Sequence, residues 1–169
     1  MAQSGAQVGI VMGSDSDWPT MQACYDTLKE FGIGAVVKVC SAHRTPDDAG
    51  AFAKSAHEDG IGVIIAAAGM SAHLAGAMAA HSPLPIIGVP LAGPHLDGLD
   101  ALLSTVDMPP GVPVATVAIG KPGAKNAALL AVQILGAGDD ALRQKFIEYK
   151  QKMAEQVREK NAVLQQGLR

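Results

Sequence analysis

A chain of 169 residues with 49% hydrophobic side chains has the size of one domain and can bury a full core. With 4% aromatic residues, that core must come mainly from Ala, Val, Ile and Leu. A formal net charge of −3 leaves no basic stripe to neutralise a row of phosphates, which argues against nucleic acid but still permits one small anion held by two or three local donors.

In chain order, the first apolar run is "QVGIVMG" (7–13), a strand, followed by a helix over 18–31 with Pro19 in its first turn, a favoured place for proline. "GAVVKVC" (34–40) is the second strand, interrupted only by Lys38; a helix over 46–58 then opens on Pro46, Asp47 and Asp48, acids that suit a helix N-terminus. "IGVIIAAA" (61–68) and "LPIIGVP" (84–90) flank an Ala-rich helix over 72–81. "GLDALLSTVDMPPGVP" (98–113) reads as a short helix with turns that cover the site. "VPVATVAIG" (112–120) is the fifth strand, and a second Ala-rich helix spans 124–135. Nearly continuous apolar strands are those covered on both faces, and strands alternating with helices call for a parallel sheet. With right-handed crossovers this predicts an α/β fold: a flavodoxin-like, doubly wound, five-stranded sheet in three layers. Residues 139–165 break the rhythm as a charged helix with Leu142, Phe146, Tyr149, Met153 and Val157 on one stripe. That stripe docks on its own domain or on another subunit. The expected organisation is a catalytic domain over 1–138 and a helical extension of the same domain over 139–169.

The two cysteines, Cys24 and Cys40, lack metal or CxxC spacing and read as buried, reduced thiols. "MAQSGAQ" lacks a basic region followed by an apolar stretch, and no run approaches the length of a membrane span. Neither leader nor anchor is expected, and the expected home is the cytoplasm, with no membrane partner.

In open parallel sheets ligands bind beyond the carboxyl ends of the strands. In "GSDSDWP", Ser14, Ser16 and Asp17 precede a helix whose free N–H groups suit an anion, while a carboxylate suits a ribose diol; Ser16 or Asp17 as a plain N-cap is the alternative. In "SAHRTPD", Arg44 is a forked, permanent cation for a phosphate, Ser41 adds a hydroxyl, and His43 can give and take a proton near neutrality. An Arg–Asp loop clamp is the competing reading there. In "AAAGMSAHLAG", Gly69 lets backbone approach a planar ligand, and His73 is either a donor at the helix start or a satisfied histidine. His81 reads as a helix-dipole partner, His57 as solvent-facing, and His95 as a loop residue of open role; Lys121 and Lys125 either raise the local potential or are solvated. HxH, HxxxH and Cys/His clusters are missing, so no metal is expected, and no GxSxG or P-loop occurs.

Together, "GSDSDWPTM", "SAHRTPD", "GVP" and "LLSTVDMPPGVPVATVAIGKPGAKNAALLA" resemble the N5-carboxyaminoimidazole ribonucleotide mutase family of purine biosynthesis, over about residues 7–137. The resemblance implies a homo-octamer with active sites at subunit contacts and neither metal nor organic cofactor. It implies that a carboxylate moves from N5 to C4 of an aminoimidazole ribonucleotide through trapped CO2, with His43 as the catalytic acid and base. Ser16, Ser41 and Arg44 would hold the phosphate and Asp17 the ribose diol. Ser14, Gly69 and His73, with the neighbouring Ala42, Met70 and Leu74, would surround the base and its carboxylate. The chain departs from the bacterial pattern "GAGGAAHLPGM" at Met70, Ser71 and Ala75, in the loop expected to line the CO2 pocket. Animal-type relatives, which carboxylate the unmodified ribonucleotide with CO2, typically carry Lys-Gly in place of Arg44-Thr45, so the chain sides with the mutase. The alternatives are that CO2-dependent carboxylase and, in another class, a flavin- or nucleotide-binding module without chemistry.

Overall fold

A computed structural model describes residues 6–168, with side chains from Val8 onward; the start of the segment expected to carry no leader lies outside these residues. Five parallel strands, β1 (Ala6–Met12), β2 (Gly34–Val39), β3 (Val63–Gly69), β4 (Ile86–Leu91) and β5 (Ala115–Thr116), pair in the order β2-β1-β3-β4-β5. The helices are α1 (Trp18–Glu30), α2 (Pro46–Ser55), α3 (Leu74–His81), α4 (Leu99–Val106), α5 (Gly120–Gly136) and α6 (Asp140–Gly167). This is the flavodoxin-like order expected from the alternation, with the additional C-terminal helix.

Side chains alternate between the faces of a strand, and both faces here are apolar. On one face Val11, Ile64, Ala66 and Ile86 pack with Phe52, Ala53 and Ala56 from the α2 segment and Leu74, Ala75 and Met78 from α3. On the other, Val8 and Ile10 are fully buried, as are Met21, Cys24 and Leu28 of α1. Burial of each large aliphatic chain such as Ile64, Ile65 or Ile87 contributes roughly 1.5–3 kcal/mol. Strand β2 is an edge: Val37 and Val39 are exposed, and Lys38, the polar break in its run, lies with its Nζ 5.3 Å from the centre of the Phe52 ring.

Small residues set how closely the layers approach. A Cβ on Gly88 would come within 2.3 Å of Thr105 Cγ2 and 3.0 Å of Val114 Cγ1, so α4 reaches β4 only because position 88 is glycine. A Cβ on Gly123 would lie 1.6 Å from the Ala118 carbonyl oxygen, which fixes glycine in the first turn of α5.

Several bounds differ from expectation. The fifth strand is two residues long rather than 112–120. Pro109, Pro110 and Pro113 have no N–H to donate, and only Ala115, Thr116 and the Val117 N–H, which donates to Gly88 O at 3.1 Å, engage β4. The helix expected from 124 starts at Gly120, because Pro122 is tolerated in a first turn. Helix α2 stops at Ser55 instead of 58; Gly60, at φ +79°, turns the chain so that Ile61 N–H donates back to Ala56 O at 3.0 Å.

By compactness the chain divides after Ala131. The unit from Val132 holds the end of α5 and α6; Asp139 caps α6 by accepting from Leu142 N–H at 3.0 Å, and Arg143 pairs with Asp140. Along α6, Leu142 is buried, Phe146 stacks with Tyr149, and Met153 and Val157 are exposed. Among the described residues no helix is long and apolar enough to cross a membrane.

Candidate active site

The loops after β1, β2, β3 and β4 surround a cavity of about 500 Å³ beyond the carboxyl ends of the strands, where β1 and β3 lead their chains to opposite sides. The eleven residues to which the family resemblance gives a place in the site all line it: Ser14, Ser16, Asp17, Ser41, Ala42, His43, Arg44, Gly69, Met70, His73 and Leu74.

After β1 the chain makes a single 3₁₀ turn, Asp15–Asp17, before α1. Ser14 is its N-cap: the hydroxyl accepts from Ser16 N–H at 3.3 Å, while Asp17 Oδ2 accepts from Ser14 N–H at 3.0 Å. Ser14 thus caps this turn, with Asp17 closing a reciprocal box, while Asp17, one of the two residues expected there, occupies the N-cap position of α1. Asp17 has no side-chain bond to the start of α1, so its carboxylate is held at the cavity by Ser14. Burial raises its pKa above the ordinary 3.8, and the bond from Ser14 and the charge of Arg44 only partly offset that.

After β2, Ser41 Oγ accepts from the N–H groups of His43 at 3.3 Å and Arg44 at 3.2 Å, and Thr45 Oγ1 accepts from Ser41 N–H at 2.9 Å. These bonds fold "SAHRT" into a tight turn that leaves the His43 and Arg44 side chains exposed. Arg44 Nη2 donates to the Gly13 carbonyl at 2.7 Å, tying this loop to that after β1. The anticipated arginine clamp thus exists, but on a backbone oxygen rather than an Asp.

His43 Nε2 lies 2.8 Å from His73 Nδ1, with the rings edge to face, their centroids 4.9 Å apart. One nitrogen of this pair carries the shared proton while the other accepts it. His73 sits at the N-cap position of α3 without a side-chain cap bond, so its partner is the other histidine rather than the helix. Met70, just past β3, takes the left-handed conformation at φ +53°. Gly69 runs close to β4: a Cβ there would lie 3.4 Å from Leu91 O.

The remaining candidates lie elsewhere. His57 is exposed, and the His81 ring lies against Gly50, where a Cβ would be 3.4 Å away. His95, Lys121 and Lys125 do not line the cavity. Leu91, Ala92, Gly93 and Pro94 do, and residue-by-residue reading missed them because none is ionisable; their place after the fourth strand was the available signal. Cys24 and Cys40 are buried, free thiols, and burial pushes Cys24 up to about 12. No three His, Cys, Asp or Glu side chains gather in a metal-holding group among the described residues.

With this geometry in place, similarity to known proteins is informative. A family described as "AIR carboxylase" matches residues 7–156. The N5-carboxyaminoimidazole ribonucleotide mutase of Mycobacterium tuberculosis strain H37Rv is 54% identical over 159 residues, covering 94% of this chain and 90% of the relative. The protein of the same name from Bacillus subtilis strain 168 is 53% identical over 152 residues, covering 90% and 94%. Among solved structures, Treponema denticola PurE superposes with a TM-score of 0.84 at 29% identity, covering 93% of this chain and 97% of that one. The family match takes in all five strands, less the first residue of β1, and all four loops of the cavity: the chain belongs to the AIR carboxylase family.

Proposed function

We infer that the chain is an N5-carboxyaminoimidazole ribonucleotide mutase of purine biosynthesis, moving a carboxylate from N5 to C4 of its substrate on the route to IMP. Relatives named for that activity are 49–54% identical over 89% or more of the chain. The observation that carries the reading is the cavity itself. His43 stands in one recess with the Arg44 guanidinium, the Ser16 and Ser41 hydroxyls and the Asp17 carboxylate, a set suited to a ribose phosphate.

The chemistry follows from those groups. Cleavage of the N5–carboxylate bond leaves an electron pair on N5, and His43 supplies its proton. C4 then attacks the freed CO2, and the resulting C4 proton returns to His43. The histidine ends as it began, so one residue serves both steps, and a positioned acid–base group of this kind contributes about 10²–10⁴-fold. Arg44, Ser16 and Ser41 hold the phosphate; for this Arg44 swings from the Gly13 carbonyl, an exchange of one hydrogen bond for a charge-assisted, forked one. Asp17 accepts from the ribose diol. Ser14, Gly69 and His73, with Ala42, Met70 and Leu74, enclose the base and its carboxylate.

Residues 1–138 form the catalytic domain in this reading and 139–169 its helical extension, in a cytoplasmic homo-oligomer, an octamer by family resemblance. Exposed apolar side chains on α4 (Leu99, Leu103, Val106) and on α6 (Met153, Val157) support assembly. Supplying N5-carboxyaminoimidazole ribonucleotide to the purified protein without ATP or bicarbonate tests the function. Rapid appearance of the C4-carboxylated isomer is expected. Decarboxylation at the enzyme-free rate, with no isomer, would refute it.

A further inference from the structure

We propose that Met70 determines whether the CO2 released within the site is recaptured at C4 or lost, by closing the apolar side of the cavity over it; this rests on the mutase reading above. Three observations lead there. Met70 is 56% exposed, whereas the other large aliphatic side chains of the lining, Leu74 and Leu91, are 2% and 5% exposed and held in the core. It is thus the long apolar chain in this lining that is free to move. Its backbone sits at φ +53°, a region that favours glycine, so an L side chain is projected here against local preference. Finally, Met70 leans toward the loop after β4, where a Cβ on Gly93 would lie 3.4 Å from Met70 Cγ. The missing side chain of Gly93 leaves room for the Met70 side chain at Cγ, so Met70 links the loops after β3 and β4 three residues from His73.

The reaction gives such a residue a task that the polar loops cannot perform. Phosphate and ribose keep their charges and hydrogen bonds throughout. The carboxylate changes from an anion to neutral, linear CO2 when its bond to N5 breaks, and becomes an anion again when the bond to C4 forms. Atoms and electrons balance with no co-reactant. While CO2 is free it offers little for a guanidinium or a hydroxyl to grip, so exclusion of water and shape must retain it. A flexible, polarisable thioether suits that purpose.

The test compares full-length wild type with Met70→Gly and Met70→Leu on N5-carboxyaminoimidazole ribonucleotide. It follows both the C4 isomer and the decarboxylated ribonucleotide, after subtracting the enzyme-free loss, and reads entry of label from 13C-bicarbonate into the isomer. Glycine accepts φ +53° without strain, so Met70→Gly is expected to fold, which its melting curve checks. In Met70→Gly the ratio of decarboxylated product to isomer should rise about tenfold, the low end for shortening a side chain in an apolar pocket, with label entering the isomer. Leucine should restore most of the wild-type ratio. An unchanged ratio in Met70→Gly, alone or with a higher KM, would overturn the proposal and leave the mutase standing. So would a Met70→Leu variant that leaks as much as Met70→Gly. A wild type that forms no isomer would overturn the mutase reading and this proposal together.

Discussion

At the scale of single residues, the proposed reaction divides the site into groups that change during it and groups that do not. His43 belongs to the first. His43→Asn keeps a hydrogen-bonding side chain of similar reach but cannot carry a proton, so kcat should fall by about 10²–10⁴-fold while KM moves little. A variant with more than a tenth of wild-type turnover would remove His43 from the chemistry. Asp17 belongs to the second group, and its placement works against the fold. Burial raises its pKa above 3.8, so the folded chain holds that proton more tightly than the unfolded one. Ionised Asp17 therefore destabilises the fold at neutral pH, and the effect fades as the pH falls through the raised value. Asp17→Asn should melt higher than wild type at pH 7, with the gain shrinking toward 3.8. Its KM should rise roughly ten- to hundredfold, as expected when a charged acceptor is lost. A thermal gain independent of pH would rule out burial as the cause. Such opposition between stability and binding is what a functional carboxylate shows and a mere surface acid does not.

At the scale of elements, the crossing of α4 over β4 is a close side-chain contact that a single substitution can probe. Gly88→Ala places a methyl 2.3 Å from Thr105 Cγ2, and the overpacking should destabilise by about 1–3 kcal/mol in urea titration. Adding Thr105→Ser removes that methyl while keeping a hydroxyl for the bond that Thr105 Oγ1 donates to Ala101 O at 2.7 Å, so the double variant should recover most of the loss. Independent, additive effects would mean the two residues are not in conflict. The same contact shows what the amino-acid order reveals and what it hides. Strand order was legible because "IGVIIAAA" and "LPIIGVP" are apolar on both faces, a property of central parallel strands. The polar loops were legible because histidine and arginine stood at a strand end where a turn needs neither of them. The shortness of β5 was not: "VPVATVAIG" has strand composition, and only the pairing with β4 shows that two of its residues are in register. The link between His43 and His73 was equally hidden. The residues are 30 apart in sequence, and their 2.8 Å approach depends on β1 lying between β2 and β3.

At the scale of the whole molecule, the question is what covers the apolar surface that the chain leaves open. Helix α4 buries Ala101 and Thr105 on one side and presents Leu99, Leu103 and Val106, spaced as one helical stripe, on the other, with Leu96 exposed just before it. A second apolar surface lies along the β2 edge, where Val37 and Val39 border a groove shared with Trp18 and Tyr25. Monomers rarely expose contiguous apolar patches of more than a few hundred Å². Self-association is the outcome expected for a chain with a formal net charge of only −3, which offers weak mutual repulsion. Sedimentation should therefore find a particle of several chains, eight if the family resemblance extends to assembly. Leu99→Glu with Leu103→Glu sets two carboxylates in the α4 stripe and touches neither the core nor the cavity lining. The double variant should keep its far-ultraviolet circular dichroism and sediment as a smaller species. Because the active sites are expected at subunit contacts, mutase turnover should fall with the loss of assembly, in step with the dissociated fraction as protein is diluted. A fully active monomer would show that the site is complete within one chain, and a wild type that already sediments as a monomer would leave both apolar surfaces without the partner argued for them.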